Sequence, residues 1–410
     1  MTALTKDTPF ARNYAREVLQ ISRGKGVFLW DANGTRYLDF GSGIAVNAFG
    51  YGDRGLARVV ARQMRQLVHV SNLYTTPPGL ELGYRLLDFA ATVGRHPFTG
   101  VHFGNSGAEA NEAAIKYARL YAREKRGPGH HKILSFEHAF HGRTMGALSA
   151  TPKRAYREKF EPLLPGFETV PFNDSAALEQ TLDDSFAAVI VEVVQGEGGL
   201  APASHDMVRT LNELTAQHDV LLIADEIQTG LGRLGEYFGS TTAGLTPDVV
   251  TLSKPLAGGL PLSATLIPAA VNDLVAPGDH GTTFGGGPVT SRAALHVLER
   301  LNGDGFIETV RERATQLEEG LQELMNRFDF VRELRGRGML RGLRIDLGQK
   351  QEALFPQLIS TARDHHLLVL RSGTDVLRIA PPLIISRKDM QRGLALLNDT
   401  LKDIDTRRRT

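Results

Sequence analysis

Residues 220–230 read VLLIADEIQTG, an apolar run of strand length that ends in the acidic pair Asp225-Glu226. A carboxylate at the carboxyl end of a buried strand lies where open α/β sheets bind their ligands. Because an unpaired buried charge is costly, this carboxylate needs a cationic or hydrogen-bonding partner. A protonated ring nitrogen would satisfy that need, and so would a helix cap or a structural ion pair.

Short apolar runs and helical patterns alternate on both sides of this stretch, from about residue 55 to residue 277. The apolar runs are residues 101–103, 133–136, 188–194, 220–224 and 249–252, and the helical patterns are residues 56–67, 108–124 and 204–218. This alternation predicts a mainly parallel sheet with helices on both of its faces. Beyond a long helix that starts near Val289, shorter strands and helices mix, which predicts a smaller α+β domain.

The first fifty residues alternate apolar and polar positions around the turn Ala32-Asn33-Gly34, a pattern typical of a hairpin. We expect these strands to complete the small domain. The predicted organisation is therefore residues 1–55 as an N-terminal segment contributing to the small domain, residues 56–295 as the large domain, and residues 296–410 as the C-terminal small domain.

The composition excludes several classes of protein. The chain of 410 residues has no cysteine, so disulfides, thiolate metal sites and cysteine nucleophiles are excluded. Its 47 basic and 46 acidic residues are a poor match for a nucleic-acid-binding surface. The N-terminus has no secretory pattern and no run reaches membrane-spanning length, so a cytoplasmic protein without a membrane partner is expected.

Residues 104–110, GNSGAEA, join an apolar run to a helical pattern. A turn of small residues at a helix N-terminus presents free backbone N–H groups and a positive dipole end, which suit an anion such as phosphate. The same turn could serve only to connect a strand to a helix.

Lys254 follows a second apolar run, in the sequence TLSKPLAGGLP at 251–261. Burial lowers the pKa of a lysine and frees its amine for Schiff-base chemistry, although a single lysine is more often a surface residue. In AFHGRT at 139–144, Phe140 could stack on a flat cofactor and Arg143 could bind a carboxylate with its two-pronged guanidinium. A core phenylalanine and a surface arginine are the alternatives.

Taken in order, the phosphate turn, the aromatic residue, Asp225, Lys254 and the TTFGG motif at 282–286 resemble the class III aminotransferases, which are pyridoxal-phosphate enzymes of fold type I. The resemblance runs from Asn13 to about Ile385. It implies an α/β protein whose large cofactor-binding domain has a mainly parallel seven-stranded sheet, beside a small α+β domain. It implies pyridoxal 5'-phosphate as the cofactor and no metal.

The resemblance also implies the cofactor contacts. Lys254 would bind the cofactor covalently and move the proton, while Asp225 would keep the ring nitrogen protonated so that the ring accepts electrons. Ser106, Gly107 and Ala108 would contact the phosphate. Phe140 and Ile227 would cover the two faces of the ring, and Gln228 would lie near the phenolic oxygen. Thr283 would reach the phosphate of the neighbouring subunit, which implies a homodimer with shared active sites.

Within this class, the motifs GIAVN at 43–47, HVSNLY at 69–74 and NSGAEANE at 105–112 are most similar to those of acetylornithine aminotransferases. This similarity implies that Arg143 binds the α-carboxylate of the substrate. It also implies that Glu197 neutralises Arg378 for one substrate and swings away for a second carboxylate. The remaining pocket residues would be Tyr14, Ile44 and Thr282.

The implied activity is transfer of the δ-amino group of N2-acetylornithine to 2-oxoglutarate, giving N-acetylglutamate semialdehyde and glutamate in arginine biosynthesis. Three alternatives stay open. Another aminotransferase of the class would act on 4-aminobutyrate, succinylornithine or ornithine. An aminomutase would move the amine within one molecule, and a binding protein of the same fold would have no activity.

Overall fold

The computed structural model of the chain describes residues 9–14 and 19–409. In chain order the strands are β1 (Ile21–Lys25), β2 (Phe28–Asp31), β3 (Arg36–Asp39), β4 (Phe98–Gly104), β5 (Lys132–Phe136), β6 (Phe167–Val170), β7 (Phe186–Val191), β8 (Leu221–Asp225), β9 (Val249–Leu252), β10 (Ser263–Pro268), β11 (Val331–Arg337), β12 (Leu340–Ile345), β13 (Leu367–Leu368), β14 (Leu370–Ser372) and β15 (Val376–Ile379).

The α-helices are α1 (Ser42–Ala45), α2 (Arg54–Gln66), α3 (Pro77–Phe89), α4 (Gly107–Arg126), α5 (Met145–Ser149), α6 (Arg154–Arg157), α7 (Ser175–Thr181), α8 (His205–Gln217), α9 (Gly239–Ala243), α10 (Ala269–Asn272), α11 (Pro288–Leu301), α12 (Phe306–Arg327), α13 (Gln351–Asp364) and α14 (Arg387–Arg409). Short 3-10 helices span Glu158–Phe160, Lys254–Ala257 and Gly348–Lys350.

The largest sheet has seven strands in the order β4-β10-β9-β8-β7-β5-β6. Only β10 runs antiparallel to its neighbours. All six residues of β7 are buried, and they alternate between the two faces: Ala188 and Ile190 pack with the apolar side of α4, while Val189 and Val191 pack in the main core. Burial on both faces is typical of a parallel sheet covered by helices. The predicted mainly parallel seven-stranded sheet is confirmed.

Two four-stranded sheets accompany it, in the orders β1-β2-β3-β13 and β11-β12-β15-β14. The first sheet joins distant parts of the chain, because β13 pairs in parallel with β3. The N-terminal strands therefore associate with the C-terminal part of the chain, and the domain boundaries at 55 and 295 stay predictions. No helix within residues 9–14 and 19–409 is both long enough and apolar enough to cross a membrane.

The parallel strands bring the predicted chemistry to one edge of the large sheet. Because β4, β5, β7, β8 and β9 all run in one direction, their carboxyl ends meet at the same edge, where ligands bind in open α/β sheets. The residues that follow or end these strands, in the order of the strands, are Gly107, Phe140, Glu197, Asp225 and Lys254.

Candidate active site

A cavity of about 280 Å³ opens at this edge of the sheet. Nine of the predicted site residues line it: Gly107, Ala108, Phe140, Arg143, Glu197, Asp225, Ile227, Gln228 and Lys254. The structure therefore brings together the phosphate turn, the aromatic residue, the carboxylate, the lysine and one arginine, which lie far apart in the sequence.

Asp225 ends β8 and is held by three donors. Its Oδ2 accepts hydrogen bonds from Asn111 Nδ2 and His141 Nδ1, each at 2.8 Å, and its Oδ1 accepts one from the backbone N–H of Ile227 at 3.1 Å. Thr251 in turn donates to Asn111 Oδ1 at 2.9 Å, which fixes that amide. These contacts hold the carboxylate in one orientation, and Oδ1 keeps capacity for one more donor.

Lys254 lies two residues beyond the carboxyl end of β9, and its φ of 31° lies in the left-handed region. A non-glycine residue in this region is strained, and such strain clusters at functional sites. Burial lowers the pKa of the Lys254 amine, and the nearby carboxylates Asp225, Glu192 and Glu197 oppose that shift. The lowered pKa increases the fraction of neutral, nucleophilic amine.

The N-terminus of α4 forms the predicted anion turn. Ser106 caps the helix, accepting a hydrogen bond from the Glu109 N–H at 3.3 Å. The Glu109 carboxylate accepts another from the Asn105 N–H at 2.8 Å. A Cβ at Gly107 would lie 2.8 Å from Ile227 Cδ1, so only glycine lets the helix end approach Ile227 this closely. The predicted anion turn and Ile227, one of the two predicted ring contacts, are therefore adjacent.

Glu192 is a site residue that the sequence analysis missed. It lies just beyond β7, lines the cavity, and accepts hydrogen bonds from the N–H groups of Phe140 at 2.9 Å and Gly196 at 3.1 Å. Burial raises its pKa to about 7. The signal that could have revealed it is the one that revealed Asp225, a carboxylate directly after a fully apolar run.

Arg143 stacks on a second residue missed in the sequence. Its guanidinium carbon lies 3.5 Å from the ring centroid of Tyr156, which is a residue of α6. The Lys153 amine lies 4.4 Å from the same ring and bonds the Tyr156 hydroxyl at 3.1 Å. A cation held over an aromatic face keeps its outer N–H groups available for a carboxylate.

Arg378 and Glu197 form an ion pair beside the cavity. Arg378 comes from β15 and is almost fully buried, and its Nη1 lies 2.5 Å from Glu197 Oε1 and donates to Gly196 O at 3.2 Å. Within the described part of the chain, its Nε has no hydrogen-bond partner. Breaking this pair without a substitute would leave a buried charge uncompensated, which is strongly unfavourable.

Comparison with known proteins identifies this arrangement. Residues 10–401 match the family Aminotransferase class-III. An acetylornithine aminotransferase from Caldanaerobacter subterraneus is 40% identical over 392 residues, which are 95% of this chain and 96% of the relative. The chain belongs to the class-III aminotransferases.

Solved structures agree with this membership. An N-acetylornithine aminotransferase from Stenotrophomonas maltophilia matches this class-III aminotransferase with a TM-score of 0.82 and 31% identity, covering 97% of this chain and 98% of the other. An ornithine aminotransferase from Toxoplasma gondii matches with a TM-score of 0.91 and 29% identity, covering 97% and 94%. The predicted fold class and family are confirmed.

The remaining predicted residues of this class-III aminotransferase lie outside the 280 Å³ cavity. Thr282 and Thr283 line a separate surface groove of about 870 Å³, and Asn105 Nδ2 bonds Thr282 Oγ1 at 3.4 Å, which connects the groove to the phosphate turn. Tyr14 is 69% exposed, and Ile44 lines a third cavity with Asp39 and Leu370. The roles predicted for these residues and for Ser106 stay predictions.

The cavity of this class-III aminotransferase fits a flat, protonated heteroaromatic ring that carries a phosphate. Asp225 Oδ1 can accept from a ring N–H, and the N-terminus of α4 can accept an anion. Among the residues that the structure describes, Gln228 Oε1 is buried without a hydrogen-bond partner. An oxygen of this kind at a cavity wall needs a donor from a bound group, because an unsatisfied buried acceptor is costly.

Proposed function

We propose that this class-III aminotransferase uses pyridoxal 5'-phosphate to transfer the δ-amino group of N2-acetylornithine to 2-oxoglutarate. The products are N-acetylglutamate semialdehyde and glutamate. The observation that carries the proposal is the cavity itself, which Lys254, Asp225 and Arg143 line together with Glu197, the ion-pair partner of Arg378. The relatives named for acetylornithine support this choice of donor.

When bound, the cofactor supplies an electron sink that stabilises negative charge at the substrate carbon. The residues that would hold it are Lys254, Asp225, the turn at 106–108, Phe140 and Gln228. The contacts from Asn111 and His141 orient the Asp225 carboxylate, which would accept a hydrogen bond from a protonated ring nitrogen. The lowered pKa of Lys254 increases the fraction of neutral amine, which suits it to accept and return a proton.

Two arginines distinguish the two substrates by their number of carboxylates. Arg143, oriented on Tyr156, would bind the α-carboxylate of acetylornithine and so direct the distal amine toward Lys254. Arg378 stays neutralised by Glu197 while this donor is bound. 2-Oxoglutarate brings a second carboxylate, which would replace Glu197 as the partner of Arg378.

The proposal is tested by a screen of amine donors in the first half-reaction, followed through the absorbance of the cofactor. Acetylornithine should react with a higher kcat/KM than succinylornithine, ornithine or 4-aminobutyrate. A preference for another of these amines would replace the proposed donor. Turnover of an amine without any need for a keto acid would favour an aminomutase instead.

We further propose that the enzyme is a homodimer whose sites are shared. The groove that contains Thr282 and Thr283 adjoins large exposed apolar side chains, among them Leu73, which is 89% exposed, Tyr74 and Phe284. An apolar patch of this kind typically marks a protein interface. The cytoplasmic location and the place in arginine biosynthesis stay predictions.

A mixing experiment tests the shared site. Lys254→Ala and Thr283→Ala should each have low activity, and subunits exchanged between them should form one intact site per mixed dimer. Recovery of activity on mixing supports a contribution of Thr283 across the interface. A monomeric mass by sedimentation, or a mixture as inactive as its parents, would contradict the proposal.

A further inference from the structure

Ser372 holds the loop that carries Glu197. This serine ends β14 and is 1% exposed. Its hydroxyl donates a hydrogen bond to the Gly196 carbonyl at 2.8 Å and accepts one from the Gly199 N–H at 2.9 Å. The two contacts lie on either side of Glu197, so one buried side chain fixes the backbone before and after the glutamate.

The same hairpin also binds Glu197 and carries its partner. The N–H of Gly373, next to Ser372, donates to the Glu197 carbonyl at 3.0 Å. Strand β14 pairs with β15, where Leu370 lies opposite Arg378 and Ser372 opposite Val376. The hairpin of β14 and β15 therefore determines where the Glu197 backbone lies relative to the guanidinium of Arg378.

This arrangement limits how Glu197 can leave Arg378. The Gly196 carbonyl, the Glu197 carbonyl and the Gly199 N–H are all bonded to the hairpin, so a displacement of the Glu197 backbone would break three hydrogen bonds. Rotation of the Glu197 side chain would open the ion pair without breaking them. The loop has contacts of its own, from the Gly196 N–H to Glu192 and from the Gly198 N–H to the Gln195 carbonyl at 3.3 Å. The hairpin contacts add to these in a segment whose glycines lose the most conformational freedom on ordering.

We propose that Ser372 is a positioning residue that sets substrate selectivity by keeping Glu197 within reach of Arg378. The inference rests on the proposed function, in which the donor has one carboxylate and the acceptor has two. The closed ion pair is needed only while the donor with one carboxylate is bound. Weakening the loop should therefore impair the donor half-reaction and leave the dicarboxylate half-reaction almost unchanged.

The test compares Ser372→Ala with the wild-type holoenzyme and with the matched control Thr374→Ala. Thr374 is exposed in the turn of the same hairpin, so its substitution leaves the contacts to Gly196 and Gly199 intact. The pairing of β14 with β15 uses backbone atoms, so Ser372→Ala should keep the hairpin register. A second variant, Ser372→Cys, keeps the side-chain volume and serves the same comparison if the alanine variant does not fold.

Two measurements are made on each protein. The first is kcat/KM for the amine donor that the wild type accepts, divided by kcat/KM for 2-oxoglutarate, from single half-reactions. The second is hydrogen exchange of the backbone amides in residues 195–201. We expect the donor-to-acceptor ratio to fall about tenfold in Ser372→Ala, as for the loss of one to two buried hydrogen bonds, with faster exchange at 195–201 and no change in Thr374→Ala.

Each possible result either supports or overturns the positioning role of Ser372. Unchanged exchange at 195–201 would show that Ser372 does not hold the loop. Faster exchange with an unchanged ratio would show that its hydrogen bonds are structural only, and both results overturn the proposal. A wild type that rejects acetylornithine but accepts another amine with one carboxylate would refute the proposed donor alone, because the ratio and the exchange are still measured with that other amine.

Discussion

Two carboxylates that line the site cavity are held in opposite ways: Asp225, called the fixed end below, and Glu197, called the switching end. Asp225 ends a central strand, its side chain is 3% exposed, and three donors bind its two oxygens. Glu197 lies on a glycine-rich loop, its side chain is 29% exposed, and its carboxylate contacts one partner, Arg378. Both are acidic groups facing the same lysine, yet only one of them is free to change its contacts.

This difference follows from what each charge must do. A group that stabilises a ring nitrogen throughout the reaction is most effective when it is preorganised, because no reorganisation energy is then needed at the moment of reaction. A group that must alternate between two substrates needs two arrangements of similar free energy. In the proposed function, Asp225 is the first kind of group and ends a strand, and Glu197 is the second kind and lies on a loop.

The largest expected effect tests the fixed end. Asp225→Ala should lower kcat about 10³-fold or more with a small change in KM, because the ring nitrogen loses its anionic partner and the donors of Asn111 and His141 lose their acceptor. Steady-state kinetics and the absorbance spectrum of the cofactor measure the loss.

Asp225→Glu, which keeps the charge, should recover part of the rate and serves as the control. His141→Phe removes one of the three contacts and should lower kcat by about tenfold, since a hydrogen bond to a charged group contributes roughly 1.5–3 kcal/mol. A loss of less than tenfold in Asp225→Ala would show that the strand end does not carry the chemistry.

The second effect tests the switching end. Arg378→Ala should raise KM for 2-oxoglutarate about 30-fold, because its carboxylate loses a charge-assisted partner worth roughly 2 kcal/mol. The donor with one carboxylate should change by less than about fivefold. The measurement is KM for each substrate in separate half-reactions.

Glu197→Gln is the complementary variant. It keeps the shape of the side chain and removes the charge that neutralises Arg378, so the donor half-reaction should suffer more than the acceptor half-reaction. An equal loss for both substrates in Arg378→Ala would remove the basis for two separate ends of the site.

The positions of Asp225 and Lys254 were predictable from the sequence, because each depends on the local pattern of apolar residues. Asp225 and Lys254 each follow an apolar run, and parallel strands bring such positions to one edge. The predicted apolar run at 249–252 coincides with β9, and the predicted helix at 204–218 differs from α8 by one residue at each end. A strong apolar pattern predicts the positions of these strands and helices without any knowledge of tertiary contacts.

The contacts that tune the site were not predictable in the same way. Tyr156 and Arg143 are separated by a helix and a turn, and their stacking depends on how α6 packs. Ser372 and Gly196 are joined only because β14 lies beside the loop after β7. No periodicity encodes such pairs, since they depend on side-chain directions across the completed fold. The family resemblance supplied the roles of Glu197 and Arg378, which composition and pattern alone could not.

A smaller effect tests whether Arg143, the proposed substrate-binding arginine, is itself preorganised. Tyr156→Leu should raise KM for the amine donor about fivefold, because a cation–π contact of roughly 1 kcal/mol no longer orients Arg143. Tyr156→Phe keeps the aromatic face and should stay within about twofold of the wild type. If both variants lose activity equally, the hydroxyl contact to Lys153, rather than the stacking, orients this side of the cavity.

The smallest expected effect concerns the groove that contains Thr282 and Thr283, outside both ends of the cavity. There the rings of His102 and His280 stack at 4.6 Å, and the Lys116 amine lies 2.8 Å from His280 Nδ1. Burial, together with the charges of His280 and Lys116, lowers the pKa of His102 from 6.5 to about 4, and only Glu109 opposes the shift.

The unfolded chain therefore binds a proton at His102 more readily than the folded chain does. Stability from this group is complete above pH 6.5 and is lost as the pH falls toward 4. Between pH 7.5 and 5.5 the wild type should lose about 1 kcal/mol that His102→Gln does not lose. Denaturant unfolding at the two pH values and one fixed protein concentration measures the difference. If the variant loses as much stability as the wild type between the two pH values, the acid sensitivity of the fold arises from a group other than His102.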